Sequence, residues 1–391
     1  MGAAVTHGHL LREGRNVSGY DERHEWDSAV GLLRKMVSQG ATNTAEQRRQ
    51  LWRRLGAAGI LGLPVPPEYG GLGCTAAAAS IYLECLGYVC PDNGICAMVC
   101  ASLLSCIIPV WKRGTQFQKK KYLRSLCSGE WVVAHAATEP EAGSDIYSLQ
   151  TTAMRKGRDY VLNGLKTYSL NAPLADLFVV LARTREDSGV DHLTAFLVER
   201  SAPGAKVTRE LTKIGLQSAP MGEVCFDDCI VPEENRLGPE GAGAMIFQAA
   251  MLWERSLIVA PQVGVMRRSL EASIDYAKKR RQFGSSIGKF QSISNRIAEM
   301  KMRLELSRLL LREAARNLDG AGSDPLTSAM AKLFISEAAV ANHLDALRIQ
   351  GGRGFLAESG CGQDLCDCIG LTILSGTSDI QRQIIARCVG L

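Results

Sequence analysis

Leu177-Phe-Val-Val-Leu-Ala182 is the stretch on which the fold turns. It is short, apolar and β-branched, and it is not alone. Tyr160-Val-Leu-Asn163, Leu193-Thr-Ala-Phe-Leu-Val198 and Val224-Cys-Phe-Asp227 read the same way, with Gly, Pro and Asp between them at near-regular spacing. Runs of this kind bounded by turn residues are strands. Their spacing predicts a small antiparallel barrel or sandwich over residues 131–240, not βαβ units.

The period changes on both sides. From about Glu25 to Glu130 the pattern is helical. Thr44-Ala-Glu-Gln47 is a capping box that opens an amphipathic run through Leu51, Leu55 and Ile60. Pro64-Val-Pro-Pro-Glu-Tyr-Gly-Gly-Leu-Gly73 forbids helix and reads as a tight loop. Two more helical stretches follow, ending near Gly129. After residue 240 helices return: Ile293, Ile297, Met300, Leu304, Leu311, Ala315 and Leu318 lie on one stripe of a long helix, which calls for a bundle or an interface to bury it. The expected class is α+β. A flexible N-terminal segment (1–24) precedes an N-terminal α-helical domain (25–130), a middle antiparallel β-barrel or sandwich domain (131–240) and a C-terminal four-helix bundle (241–391).

Composition narrows the function. A chain of 391 residues with 46% hydrophobic and 22% charged residues has material for two or three domains and a large core, which excludes disorder and small disulfide scaffolds. A net charge of +5, with dispersed basic residues and 6% aromatics, points to no nucleic-acid partner. The densest basic run, Lys119 to Lys121, reads as a solvated helix face. The apolar segment from Ile95 to Trp111 is diluted by Cys, Ser and small residues, so no membrane span is expected. Met1 to Asn16 has no apolar signal core and reads as a Gly-rich leader. Thirteen cysteines without a secretion signal indicate reduced thiols and a cytoplasmic protein. Cys361, Cys366 and Cys368 have no partners to complete a tetrahedral metal set, so no metal is expected.

Gly352-Arg-Gly-Phe-Leu-Ala357 imitates a dinucleotide fingerprint. A helical pattern precedes it where the fingerprint needs a strand, so it reads as a glycine-rich helix C-terminus. The more distinctive segment is Ala137-Thr-Glu-Pro-Glu-Ala-Gly-Ser-Asp145, whose small residues suit close approach to a phosphate or a flavin edge. It stands in an ordered set with Pro64 to Gly73, Gly114 to Leu123, Asn163-Gly-Leu-Lys166, Phe226 to Pro232, Arg281-Gln-Phe-Gly284, Gly351 to Phe355 and Gly376 to Arg382. This set resembles the acyl-CoA dehydrogenase superfamily from about residue 45 to 390.

The resemblance implies FAD, a homotetramer, and removal of hydrogen from the α and β carbons of an acyl thioester, on CoA or on an acyl carrier protein. An electron-transfer flavoprotein or oxygen would take the electrons. By the same resemblance Thr138, Gly143, Ser144, Tyr168 and Ser169 fall at flavin-contacting positions. Arg281, Phe283 and Gln291 match positions that reach the ADP part of a neighbouring subunit's FAD. Arg348, Gly351, Gly352, Thr377 and Asp379 fall at further cofactor positions, and Ser144, Arg255 and Ser375 at substrate positions.

The departures are as informative. The Tyr-Glu that supplies the base in many members is Leu374-Ser375 here, and a serine cannot act as a base near neutral pH unaided. Some branches carry the base on a helix just before an arginine, and Trp253-Glu254-Arg255 fits that pattern, so Glu254 is the expected base. Leu252 replaces an aspartate that holds pantetheine, Tyr168-Ser-Leu170 replaces Trp-x-Thr beside the flavin, Arg348 and Asp379 replace glutamines, and Cys366 replaces an arginine. Ser169 is the remaining hydroxyl for the flavin, although adjacent strand residues point to opposite faces. These changes direct the reading to a thioester dehydrogenase of specialised metabolism. A flavin oxidase or monooxygenase, or an inactive partner subunit, is the alternative.

Overall fold

The computed structural model describes residues 22–37, 44–185, 190–320 and 324–391. The flexible segment expected over 1–24, with the leader it contains, lies outside the described residues up to residue 21; Glu22 to His24 already belong to the first helix.

Five helices come first: α1 (Glu22–Val37), α2 (Ala45–Ala57), α3 (Ala76–Val89), α4 (Asn93–Arg113) and α5 (residues 116–127). The capping box at Thr44 forms as expected, with Thr44 and Gln47 bonded reciprocally. Two helical stretches were expected after the Pro64–Gly73 loop, and three are present. Pro91 with the N-cap Asp92 divides α3 from α4, and Gly114 with the N-cap Thr115 divides α4 from α5.

Helix α4 corrects the sequence reading in a second respect. It runs 21 residues without a break and is by length and composition apolar enough to cross a membrane; 83% of its most apolar window is buried inside the protein, as a core helix. A π-turn at Leu103–Ile107 interrupts its register.

The strands are β1 (Val133–Ala136), β2 (Thr152–Lys156), β3 (Asp159–Leu170), β4 (Leu177–Arg183), β5 (Leu193–Glu199), β6 (Ala205–Leu211), β7 (Met221–Pro232) and β8 (Arg236–Leu237). They form one sheet in the order β6-β7-β3-β2-β4-β5-β8, with β1 beside β4. Pairing is antiparallel except for β1 with β4, and the single Thr152–Arg183 contact of β2 with β4. The parallel exception arises because β1 leads into a loop and the β2–β3 hairpin before the chain returns as β4.

The apolar run that opened the sequence reading is buried on both faces. Phe178, Val180 and Ala182 join an inner core of the sheet with Tyr160, Phe196 and Phe226, while Leu177, Val179 and Leu181 join the core shared with the helices.

Six helices complete the chain: α6 (Gly243–Leu257), α7 (Ala260–Lys279), α8 (Gln291–Asp319), α9 (Pro325–Gln350), α10 (Cys361–Leu371) and α11 (Ser378–Cys388). Arg281–Gln282 and Ser285–Ser286 pair as a short hairpin between α7 and α8. Helix α7 packs on α3, so the helices before and after the sheet share one core. Backbones approach closely there: a Cβ at Gly87 would lie 1.8 Å from the Pro261 carbonyl oxygen, and one at Gly264 2.0 Å from that of Glu84.

Candidate active site

The loop after β1 is built on a buried ion pair. Lys166 and Glu139 meet at 2.8 Å, both nearly inaccessible, and Lys166 Nζ also donates to the Ala137 carbonyl. Glu139 accepts from the Gln150 and Thr151 backbone N–H groups, and the Thr167 N–H donates to the Thr138 carbonyl. Thr138 is therefore held on both sides. Burial pushes the Lys166 ammonium down to about 8, against the opposing pull of Glu139. Glu139 lies below its usual range, because Lys166 and the backbone donors outweigh its burial.

Next to this loop β3 breaks its pairing with β7 between Lys166 and Ser169, and Tyr168 takes a left-handed φ of 52°. Tyr168 and Leu170 then line one side of a cleft of about 510 Å3, with Thr138, Gly143 and Ser144. Ser375, Gly376 and Thr377 close the other side, just before α11, and Leu216, Ile369, Ile373 and Leu374 supply apolar wall. Gly376 has φ +86°, a conformation that disfavours any side chain there. Ser169 faces away: it is buried, outside the cleft lining, and its Oγ has no partner. The alternation of strand faces holds even through the bulge.

The two positions at which a base was sought are in contact. Ser375 Oγ donates to Glu254 Oε1 at 2.7 Å, joining residues 121 apart in sequence. Glu254 lies near the C-terminal end of α6 and is 8% exposed. Burial pushes its carboxyl up, opposed by the Ser375 hydrogen bond, by the nearby Ser105 hydroxyl and by the charges of Arg255 and Lys332. Its Oε2, like Arg255 Nε, is buried without a partner. A second cavity of about 560 Å3, lined by Tyr147, Arg185, Met245 and Gln248 among others, opens at the N-terminal end of the same helix.

The other residues singled out from sequence lie elsewhere on the chain. Arg281 and Phe283 sit on the hairpin before α8, where Phe283 is 96% exposed, and Gln291 is the first residue of α8. Arg348, Gly351 and Gly352 are at the C-terminal end of α9, and Gly352 lines a cavity of about 860 Å3 with Tyr276, Arg280 and Arg353. Asp379 is an exposed partner of Arg382. Among the described residues no cluster of three or more His, Cys, Asp or Glu is placed to hold a metal. Ser105 and Lys332 were not anticipated. The signal was faint in each case, a polar residue inside an apolar helical run.

Three domain models of one family match in order: the acyl-CoA dehydrogenase N-terminal domain over residues 21–130, the middle domain over 134–229 and the C-terminal domain over 241–390. The chain belongs to the acyl-CoA dehydrogenase family. Within it, an L-prolyl-[peptidyl-carrier protein] dehydrogenase of Pseudomonas fluorescens is 46% identical over 373 residues, 95% of this chain and 98% of that protein. The solved prolyl acyl carrier protein oxidase AnaB matches with TM-score 0.92 at 38% identity, over 95% of this chain and all of that one. The structure of PigA with FAD and proline matches with TM-score 0.92 at 39% identity, over 96% and 99%.

As an acyl-CoA dehydrogenase, the chain is an FAD-dependent oxidoreductase acting on an acyl thioester. The cleft fits a flavin. Space is open around Gly143, Tyr168 is 60% exposed beside it, and Thr138, Ser144 and Thr377 contribute hydroxyl-bearing side chains to the lining.

Proposed function

We propose that this enzyme dehydrogenates an L-prolyl group carried as a thioester on a carrier protein, with Glu254 as the base. The observation that carries the reading is the contact between Glu254 and Ser375. It puts the helix carboxylate at the edge of the cleft, against the loop position where many relatives hold theirs. Two close relatives are named for the prolyl carrier substrate.

FAD, when bound in the cleft, supplies the two-electron acceptance that takes the β-hydrogen as hydride. The chain's own task is the α-proton. Glu254 is desolvated, which raises its basicity, and the Ser375 hydroxyl fixes Oε1 so that Oε2 is the oxygen free to receive that proton. Thr138 and Ser144 hold the flavin edge, and Arg255, buried beside the base, balances its charge.

The arm of the carrier enters through the cavity at the N-terminal end of α6. Met245 there and Glu254 are nine residues apart, about 14 Å along a helix. Leu252 offers no carboxylate to pantetheine, and contacts between proteins at the mouth offset that loss for a carrier but not for free CoA. Anaerobic mixing with prolyl thioesters of a carrier protein and of CoA tests the reading. The carrier form should reduce the flavin with the higher kcat/KM and weaken with salt. A CoA thioester that matches it, with no salt dependence for either, returns the enzyme to acyl-CoA substrates.

Further parts of this reading concern assembly, acceptor and compartment. The enzyme is a homotetramer, supported by exposed Phe283 and Phe355 and by the apolar stripe of Met302, Leu306 and Leu309 on α8. Its electrons pass to an electron-transfer flavoprotein or to oxygen; the description of AnaB as an oxidase favours oxygen, and rapid reoxidation of the reduced flavin in air is the check. All thirteen cysteines are free, which supports the cytoplasm.

A further inference from the structure

Lys332 is the one charged residue in the α9 run Ala329-Met-Ala-Lys-Leu-Phe-Ile335. Its side chain is fully buried and its Nζ has no hydrogen-bond partner. A buried ammonium without a partner is destabilising, and Met would fill the same space without that cost. The neighbours give it a use. Helix α9 packs across α6, and Lys332 lies in the fields of Arg255 and Glu254 on α6 and of Glu337 on its own helix. Glu254 Oε2 and Arg255 Nε, on the helix that α9 packs against, are also buried without a hydrogen-bond partner.

We propose that Lys332 is a positioning residue, a buried cation on the helix packed against α6 whose field keeps the desolvated Glu254 carboxylate ionised for proton abstraction. This rests on Glu254 being the base. Arg255 and Lys332 are the cations whose charges pull against the burial of Glu254. Burial and Arg255 bring Lys332 down to about 8, which leaves it mostly charged at neutral pH. Of the other groups that act on these three residues, the cysteines are neutral and Glu337 carries its own cation. Cys100 and Cys106 on α4 are held protonated by burial, Tyr147 acts on Arg255, and Glu337 is bound by Arg382 of α11.

Two measurements on the flavin-loaded enzyme test this. The first is the pH dependence of flavin reduction by prolyl carrier thioester in Lys332→Met, Lys332→Gln and Lys332→Arg. The second is an infrared titration of the Glu254 carboxyl without substrate, assigned by its disappearance in Glu254→Gln. In Lys332→Met and Lys332→Gln both the acid limb and the infrared midpoint should move up by about half to one pH unit. That is a three- to tenfold loss of rate below the limb, and Lys332→Arg should hold the wild-type position. Midpoints that stay in place in the uncharged variants, or move equally in Lys332→Arg, overturn the inference about Lys332 alone. Flavin reduction that survives in Glu254→Gln overturns the assignment of the base, and the role of Lys332 with it.

Discussion

Ser375 and Glu254 share one hydrogen bond, and each side of it can be altered separately. Glu254→Gln keeps the shape and removes the base. It should retain FAD, and flavin reduction by substrate should fall by about 10²- to 10⁴-fold in stopped-flow measurement. Ser375→Glu in that background restores a carboxylate on the loop side of the same contact, and partial recovery of reduction shows that both positions face one α-carbon. Ser375→Ala acts in the other direction. The Ser375 bond lowers the Glu254 carboxyl, so its loss raises it, and the acid limb of kcat/KM should shift to higher pH. The pair was legible in sequence because a loss at 375 and a gain at 254 occur together. Ser105 was not. A serine in an apolar helix is an ordinary core residue by composition, and this one lies in the π-turn at Leu103–Ile107, which shifts the helical period where no sequence pattern marks it.

Between elements, the tightest joint is the crossing of α3 and α7. Gly87→Ala places a Cβ against the Pro261 carbonyl and Gly264→Ala one against that of Glu84, both backbone atoms that cannot swing aside. Each should lower stability by about 1–3 kcal/mol or more, read as a drop in the thermal midpoint, since the helices must separate to admit the methyl group. Helices α7 and α9 are joined by a pH-sensitive contact. The Gln262 amide donates to the Nε2 of buried His343 at 2.7 Å, which requires a neutral ring. Burial, the largest influence, brings His343 down to about 4. A depressed histidine contributes stability that is complete above its unfolded value of about 6.5 and is lost as pH falls towards the folded one. Between pH 7 and 5 denaturant unfolding should show a loss of about 2 kcal/mol from this residue, and His343→Asn should flatten that slope. The order of elements was readable from the change of period at residues 131 and 241. The parallel β1–β4 pair was not, because period two marks a strand without marking its direction. Helix α4 was read as a diluted apolar segment because its cysteines were counted with the serines as diluting residues, although free Cys behaves as a small apolar residue and the Cys and Ser side chains there are all buried.

At the scale of the molecule, the cofactor positions expected from the sequence fall into two sets on one chain. Thr138, Gly143, Ser144, Tyr168 and Thr377 line the cleft, while Arg281 and Phe283 stand on the hairpin before α8 with the Phe283 ring almost wholly in solvent. An exposed ring of that size, on a residue with a left-handed φ of 49°, meets its own chain edge-on at Phe290, with ring centroids 6.1 Å apart, and leaves most of its surface to solvent. A neighbouring copy that uses the hairpin to complete its own flavin site accounts for both the exposure and the strain. Cofactor and assembly are then linked: whatever binds only the assembled form stabilises it, by about 2.7 kcal/mol at a hundredfold excess over Kd. The holoenzyme should be yellow and run near four times 42.3 kDa, and removal of FAD should shift it to smaller species that reassemble when FAD is returned. Phe283→Asn separates this from simple misfolding, because asparagine tolerates positive φ better than phenylalanine and so relaxes the hairpin while deleting the ring. The variant should still fold as an apoprotein, yet lose FAD and tetramer together on dilution. A stable monomer that keeps a full complement of flavin would show that each chain holds its cofactor alone, and that the exposed hairpin serves something other than a neighbour's site.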